Sequence, residues 1–230
     1  MTHDALILVG GKGTRLASVV ADVAKPMAQV DGRPFVDVIV KSLQKQGVNR
    51  IFMATGHKAD SVYDYYKDNA SVVCIKENEP MGTGGAVLHA IHNIPDLSDR
   101  FYVLNGDSFY PFVLDDFENA PEAAVLLGAV EMDDSGRYGT LETGDENRIV
   151  RFVEKTGLNV AGLVSAGVYL LQKSYFAKLP LQACSIEQDI FPALAESGEL
   201  LAVRNAGPML DIGLPETYSA ASEFLKRLDL

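Results

Sequence analysis

"LILVGGKGTRL", residues 6–16, sets a short apolar run ahead of three glycines and a Thr-Arg pair. Leu6 to Val9 reads as a buried strand. Gly10, Gly11 and Gly13 then free the backbone to bring amide groups close to something bound. Two familiar phosphate loops do not fit. A P-loop needs Gly-Lys followed by Ser or Thr, whereas Lys12 precedes Gly13; a dinucleotide fingerprint needs a third glycine where Leu16 stands. What is left is a strand feeding a glycine turn, with Lys12 and Arg15 in or beside it. That chemistry suits a polyanion. A glycine loop of this kind is equally often a mere turn, so the neighbouring sequence has to decide.

Outward from that turn, short apolar runs alternate with longer amphipathic ones. Strands are expected at 5–9, 50–55, 72–75 and 100–104, with helices at 34–46, 58–67 and 83–94 between them. In the first helix Phe35, Ile39 and Leu43 recur at four-residue spacing beside Val36 and Val40, with Pro34 suited to its first turn and Gly47 to its end. Such alternation implies right-handed βαβ crossovers and a mainly parallel sheet. The later sequence reads differently. A buried strand is expected at 123–130, two strands around a Gly-Asp-Glu-Asn turn within 138–155, and another strand at 162–171. Helices near 185–197 and 214–228 follow; in the second, Leu214, Tyr218, Ala221, Leu225 and Leu228 share a face. There is no internal repeat and no linker. The architecture expected is a Rossmann-like α/β fold with a smaller mixed lobe.

Composition narrows the function. The 230 residues can bury a substantial core, and a net charge of −11 excludes the broad basic face of a nucleic-acid binder. The amino terminus lacks a basic leader region, and no apolar run approaches the ~18 residues of a membrane-spanning helix. Cys74 and Cys184 carry no paired motif and read as incidental thiols, consistent with a reducing cytoplasm. His89 and His92 stand three apart on a helix with no carboxylate partner motif, which favours a solvent-facing pair over a zinc site.

In open α/β sheets ligands bind where loops leave the carboxyl ends of strands. Four polar loops meet that rule: Gly10–Arg15, the "KPM" of Lys25, the "EPMGTGGAV" carrying Gly82, Thr83, Gly84 and Gly85, and the "NGD" of Asn105, Gly106 and Asp107. Each alone has an ordinary structural explanation: a solvated lysine, glycines for helix packing, a turn aspartate. Their joint order carries the weight.

That order, with "RYGT", "VEK", "SAGVY" and "DIGLPE" further on, resembles the sugar-1-phosphate nucleotidyltransferases, whose pattern opens G-G-x-G-T-R-L…K-P. The blocks run from residue 10 to residue 216. The resemblance implies a nucleotide-diphospho-sugar transferase fold: one domain over 1–230, with the nucleotide on about 1–120, the sugar on about 121–205, and a metal-ligand segment and helix in 206–230. It implies that Val9, Gly10, Gly11, Gly13, Thr14, Arg15 and Gly82 to Gly85 hold a nucleoside triphosphate. Arg15, Lys25 and Asp107 would carry the catalysis, with Mg²⁺ on Asp107 and Asp211. Asn105, Gly139, Glu154, Lys155, Ser165, Ala166 and Gly167 would receive the sugar phosphate. Elementary chemistry agrees: a sugar-phosphate oxygen is already anionic at neutral pH, so the reaction needs positioning and cations more than a general base.

Within the family the loops look most like those of bacterial D-glycero-α-D-manno-heptose 1-phosphate guanylyltransferases, which implies GTP as donor. Uridylyltransferases acting on N-acetylmuramate 1-phosphate and mannose-1-phosphate guanylyltransferases are neighbouring alternatives. Ser165 stands where many relatives carry Asn, which bears on the sugar and not on the reaction class. The chain stops soon after "DIGLPETY", leaving no room for the hexapeptide-repeat extension of some relatives. Two readings of other classes compete: a non-catalytic nucleotide-sugar sensor and a nicotinamide-dependent oxidoreductase. Dimers are common among such α/β enzymes, which makes a homodimer possible, but the sequence reveals neither the oligomeric state nor an interface.

Overall fold

Strand β1 (Asp4–Leu8) sends Ala5 and Ile7 into one hydrophobic core and Leu6 into another. A strand apolar on both faces needs cover on both, so helices lie on either side of the sheet. The computed structural model describes residues 3–11, 13, 15–16, 19–20, 22–153, 157 and 160–228.

After β1 come the short hairpin strands β2 (Gln29–Val30) and β3 (Arg33–Pro34), then α1 (Phe35–Lys45), β4 (Arg50–Thr55), α2 (Ala59–Tyr66), β5 (Val72–Lys76), α3 (Gly82–Asn93) and β6 (Arg100–Asn105). Strand β1 lies between β6 and β4, and β4 pairs with β5, all in parallel. Helix α1 buries Phe35, Val36, Ile39, Val40 and Leu43 against the Ala5 face, while α3 buries Val87, Leu88 and Ile91 against the Leu6 face. Pro34 caps α1 from outside its first turn, and Gly47 closes it at φ +88°.

The remaining elements are β7 (Ser108–Phe109), α4 (Leu114–Glu118), β8 (Val125–Met132), β9 (Thr140–Thr143), β10 (Ile149–Val153), β11 (Gly162–Gln172), α5 (Lys173–Phe176), α6 (Phe191–Glu196), β12 (Leu200–Asn205), β13 (Leu210–Asp211), α7 (Pro215–Ser219) and α8 (Ala221–Arg227). Among the described residues the sheet has nine strands, extended past β6 by β11, β8 and β12, with the β9–β10 hairpin beside β11. This half is largely antiparallel, except that β12 runs parallel to β8. The sheet is therefore mixed, with its parallel core at β6–β1–β4–β5.

Two expectations need adjusting. The helix expected near 185–197 is a π-helical turn over Ile186–Ile190 running into α6. The helix expected over 214–228 is two helices joined at Ala220, and only Ala221 and Leu225 of its apolar face are fully buried. The sequence pattern predicts none of the strands β2, β3, β7, β12 and β13.

Strand β11 bends at its centre. Its pairing with β8 loses register between Ser165 and Tyr169, and Gly167 sits at φ +70°. Beyond the bend β11 pairs with β6; before it, Val164 pairs with Thr140 of β9. The bend opens a concave space next to Asn105, where β6 ends.

Candidate active site

At the carboxyl ends of the parallel strands lies a cavity of 760 Å³, and beside it a smaller one of 170 Å³. Asn105 and Asp107 line both. The large cavity is walled by the glycine turn (Gly10, Gly11, Gly13, Arg15), by Lys25, by the end of β4 and by the connection from Lys76 to Thr83. The small one is walled by Ser165 and Gly167 of the β11 bend, by Tyr138, Gly139 and Phe152, and by Glu187 and Asp211.

The two aspartates meet because β13 pairs with β7. Asp211 lies opposite Ser108, and the Ile212 amide donates to the Asp107 carbonyl at 2.9 Å. Between the carboxylates stands the Lys25 ammonium, 2.6 Å from Asp107 Oδ2 and 3.5 Å from Asp211 Oδ1. Lys25 is placed by a 3-10 turn over Lys25–Met27, where Pro26 and Met27 are buried. The Gly213 amide also donates to Asp211 Oδ1, and a side chain at Gly213 would meet both Asp211 and the Lys25 ammonium. Two half-exposed carboxylates are hard oxygen donors, and together they already hold one cation. That donor set suits a magnesium ion, which prefers oxygen ligands and keeps several waters. His89 and His92 take no part: His92 pairs with the Leu88 carbonyl in its own helix, and no cluster of three or more ligating side chains occurs among the described residues.

Of the expected nucleotide contacts, Gly10, Gly11, Gly13, Arg15, Gly82 and Thr83 line the large cavity. Three others do not. Val9 is buried in the core, its amide bonded to the Ala54 carbonyl. Gly84 and Gly85 face the segment 182–186: a Cβ on Gly84 would lie 2.7 Å from Cys184 Sγ, and one on Gly85 2.8 Å from the Gln182 carbonyl. Their glycines serve close packing. The Cys184 carbonyl accepts from both their amides, and the Ile186 amide donates to Thr83 Oγ1 at 2.9 Å. Cys184 and Cys74 are both free thiols, pushed up in pKa by burial.

On the sugar side, Asn105, Gly139, Ser165 and Gly167 line the small cavity, whereas the side chain of Ala166 is buried in the core. Thr14, Glu154 and Lys155 lie outside the described residues. Gly167 is needed twice over: its φ is positive, and a Cβ there would stand 2.7 Å from Asn105 Nδ2 and 2.9 Å from Ser108 Oγ. Gly167→Ala is expected to cost about 2 kcal/mol or more in unfolding free energy, by denaturant titration, and to weaken any ligand of the small cavity.

Two groups escaped the sequence. Glu77 follows β5 directly, is only 9% exposed, lines the large cavity and accepts a 3.4 Å bond from the Met81 amide. Burial pushes its carboxyl above the ordinary range. The signal available was a charged residue at the carboxyl end of a parallel strand. Glu187 enters the small cavity from the π-helical turn, accepting from Tyr169 OH at 2.7 Å. Burial, with Glu187 next in importance, holds Tyr169 well above its usual pKa and therefore as a donor. Nothing in its local sequence marks Glu187.

Residues 4–227 match the nucleotidyl transferase family. The chain is 34% identical over 220 residues to D-glycero-alpha-D-manno-heptose 1-phosphate guanylyltransferase of Campylobacter jejuni, covering 93% of this chain and 96% of that one. It is 33% identical to the catalytic subunit beta of mannose-1-phosphate guanylyltransferase from Danio rerio, covering 93% of this chain and 62% of the other. In structure it matches HddC from Yersinia pseudotuberculosis with a TM-score of 0.86 and 35% identity, covering 96% of this chain and 99% of that one. HddC in complex with GMP-PN matches equally well.

Proposed function

The chain belongs to the nucleotidyl transferase family, and we propose that it transfers a guanylyl group from GTP to D-glycero-α-D-manno-heptose 1-phosphate, releasing pyrophosphate. The observation that carries the choice of base is Glu77. An ionised carboxylate only accepts hydrogen bonds. Guanine offers it two adjacent donors, N1–H and the 2-amino group. Uracil and thymine offer one N–H flanked by carbonyl oxygens, which a buried carboxylate repels. Glu77 sits against Gly56 with few competing donors, so the pairing is worth more there than in water. The heptose assignment is supported by the C. jejuni relative, whose length this chain nearly spans.

The triphosphate lies in the large cavity, its charge met by Arg15, Lys25 and the amides of Gly11 and Gly13; the sugar lies in the small one. The division of the chain we propose accordingly has the nucleotide contacts from about 1–120, most sugar contacts from about 121–205 with Asn105 and Ser108 added from the first part, and Asp211 returned to the site by 206–230. A phosphate oxygen of the sugar 1-phosphate attacks the α-phosphorus, forming one P–O bond while the bond to pyrophosphate breaks. Asp107 and Asp211 would hold a magnesium ion, which would supply positive charge beside the phosphoryl oxygens. Lys25, fixed between both carboxylates, lines the large cavity beside Asp107, which walls both cavities. No general base is required, since the nucleophile is already an anion. GTP is a cytoplasmic metabolite, and the reading places the enzyme there. Among the described residues no helix is long and apolar enough to cross a membrane.

A grid of nucleoside triphosphates against sugar 1-phosphates with Mg²⁺, scored by pyrophosphate, tests the proposal. Turnover is expected to be highest for GTP with the manno-heptose 1-phosphate; turnover confined to UTP moves the chain to the uridylyl alternative, and none at all leaves the sensor reading. In the same grid Glu77→Gln is expected to lose about ten- to hundredfold in kcat/KM for GTP, because an amide matches one guanine donor and opposes the other. The pH dependence has a definite sign. The raised pKa of Glu77 means that the acceptor is lost as pH falls, at a higher pH than for an ordinary carboxylate, so the wild-type KM for GTP rises on acidification and the Gln variant's does not.

A further inference from the structure

The small cavity contains two polar groups that neither the metal site nor the nucleotide uses. Ser108 is a wall residue of that cavity at 8% exposure, and its Oγ, itself closed off from solvent, has no hydrogen-bond partner among the described residues. Buried hydroxyls are nearly always paired, so an orphan on a residue that walls a cavity points to a bound partner. The space in front of it is kept open by Gly167, whose missing Cβ would stand 2.9 Å from Oγ. Glu187 is the second group. One carboxylate oxygen is fixed by Tyr169 OH at 2.7 Å, and the Ser165 hydroxyl stands 3.4 Å from the same phenol. No bond occupies the other oxygen among the described residues.

The lining settles the class of ligand part. Among the described residues no Lys or Arg walls the small cavity, while Asp107, Asp211 and Glu187 all do. An anion would be repelled from its depth, but neutral hydroxyls donate readily to a fixed carboxylate. Tyr138 and Phe152 add flat apolar surface suited to the C–H face of a pyranose ring.

We propose that Ser108 and Glu187 are the residues that read the ring hydroxyls of the sugar, with Tyr169 as the positioning residue that aims the Glu187 carboxylate. The proposal rests on the sugar-1-phosphate reading above and adds which side chains discriminate one sugar from another. Glu187 accepts a hydroxyl proton in a hydrogen bond, Ser108 donates to or accepts from a neighbouring hydroxyl, and no bond is made or broken. Ser108 is buried and Glu187 is exposed, so a sugar lacking the hydroxyl read by Ser108 leaves that group unpaired, and one lacking the hydroxyl read by Glu187 forfeits a hydrogen bond to a charged acceptor.

The test is calorimetric binding of sugar 1-phosphates to the full chain loaded with Mg²⁺ and a non-hydrolysable GTP analogue, together with steady-state kinetics, for Glu187→Gln, Ser108→Ala and Tyr169→Phe. Glu187→Gln and Ser108→Ala are expected to weaken sugar 1-phosphate binding about tenfold or more, with KM for GTP changed less than about twofold. Tyr169→Phe raises the sugar KM while leaving kcat at saturating sugar near wild type, a split that a general loss of structure does not produce. Against a panel of monodeoxy sugar 1-phosphates, the penalty of Glu187→Gln disappears for the sugar lacking its hydroxyl. Unchanged sugar affinity in both Glu187→Gln and Ser108→Ala, or equal penalties across the deoxy panel, overturns the proposal and leaves the reaction class standing. A wild-type chain that binds the GTP analogue but no sugar 1-phosphate overturns the reading beneath it as well.

Discussion

Asp107→Asn is expected to lower kcat for pyrophosphate release on the order of 10²–10³-fold while the protein stays folded. Asparagine keeps the shape of the side chain and one oxygen. It loses the negative charge that, with Asp211, would hold the proposed magnesium ion. The fold does not depend on that charge, because what joins the two segments is backbone: the β7–β13 pairing and the bond from the Ile212 amide to the Asp107 carbonyl. Lys25 keeps Asp211 as a partner in the variant. Steady-state kinetics over a Mg²⁺ titration, with a thermal melt on the same sample, measure both halves. The loss is expected to persist at saturating GTP and to shrink only partly at high Mg²⁺. Wild-type turnover in Asp107→Asn would remove this carboxylate from the metal site.

Lys25→Met is the second large effect, about 10²-fold in kcat, since the large cavity loses a positive charge beside Asp107, which walls both cavities. Methionine keeps the apolar stem. The variant also leaves Asp107 and Asp211 with no cation between them in the apo enzyme. Their repulsion is then relieved by metal alone, so Mg²⁺ is expected to raise the melting temperature of Lys25→Met more than that of wild type. Reduced activity with an unchanged metal-induced shift would mean that Lys25 acts on substrate without bridging the carboxylates.

The parallel core was readable because its signal is local. In α1, Phe35, Ile39 and Leu43 repeat at the helical period, and β1 is an unbroken apolar run ahead of glycines; each pattern sits within one segment of chain. Strands β7 and β13 are two residues each and exist only through pairing with one another, so no window of sequence contains their cause. Strand β12 is likewise defined by β8, far away in the chain. The apolar stripe of the final helix did not show the break at Ala220, where α7 ends and α8 starts with no Gly or Pro to mark it.

The site divides the same way. The backbone-rich loops at Gly10–Arg15 and Gly82–Thr83 announce themselves by composition, and so do Lys25, Asp107 and Asp211 once their order is seen. Gly84 and Gly85 belong to the same motif but answer to packing on residues 182–186, a contact between distant segments. Glu187 owes its place to Tyr169 on another strand. Glu77 stands two residues ahead of the loop that the rule about strand ends picks out after β5, so the rule finds the segment and not this side chain.

Asn105 and Asp107 form a party wall between two chambers, and that partition governs how the enzyme can be re-engineered. An altered wall disturbs both tenants at once, so swaps there will trade one substrate against the other. The outer rooms are separately furnished: Glu77 on the far side of one, Ser108 and Glu187 in the other. Variants of each can be screened in independent libraries and combined with near-additive effect, giving new base–sugar products without touching the party wall.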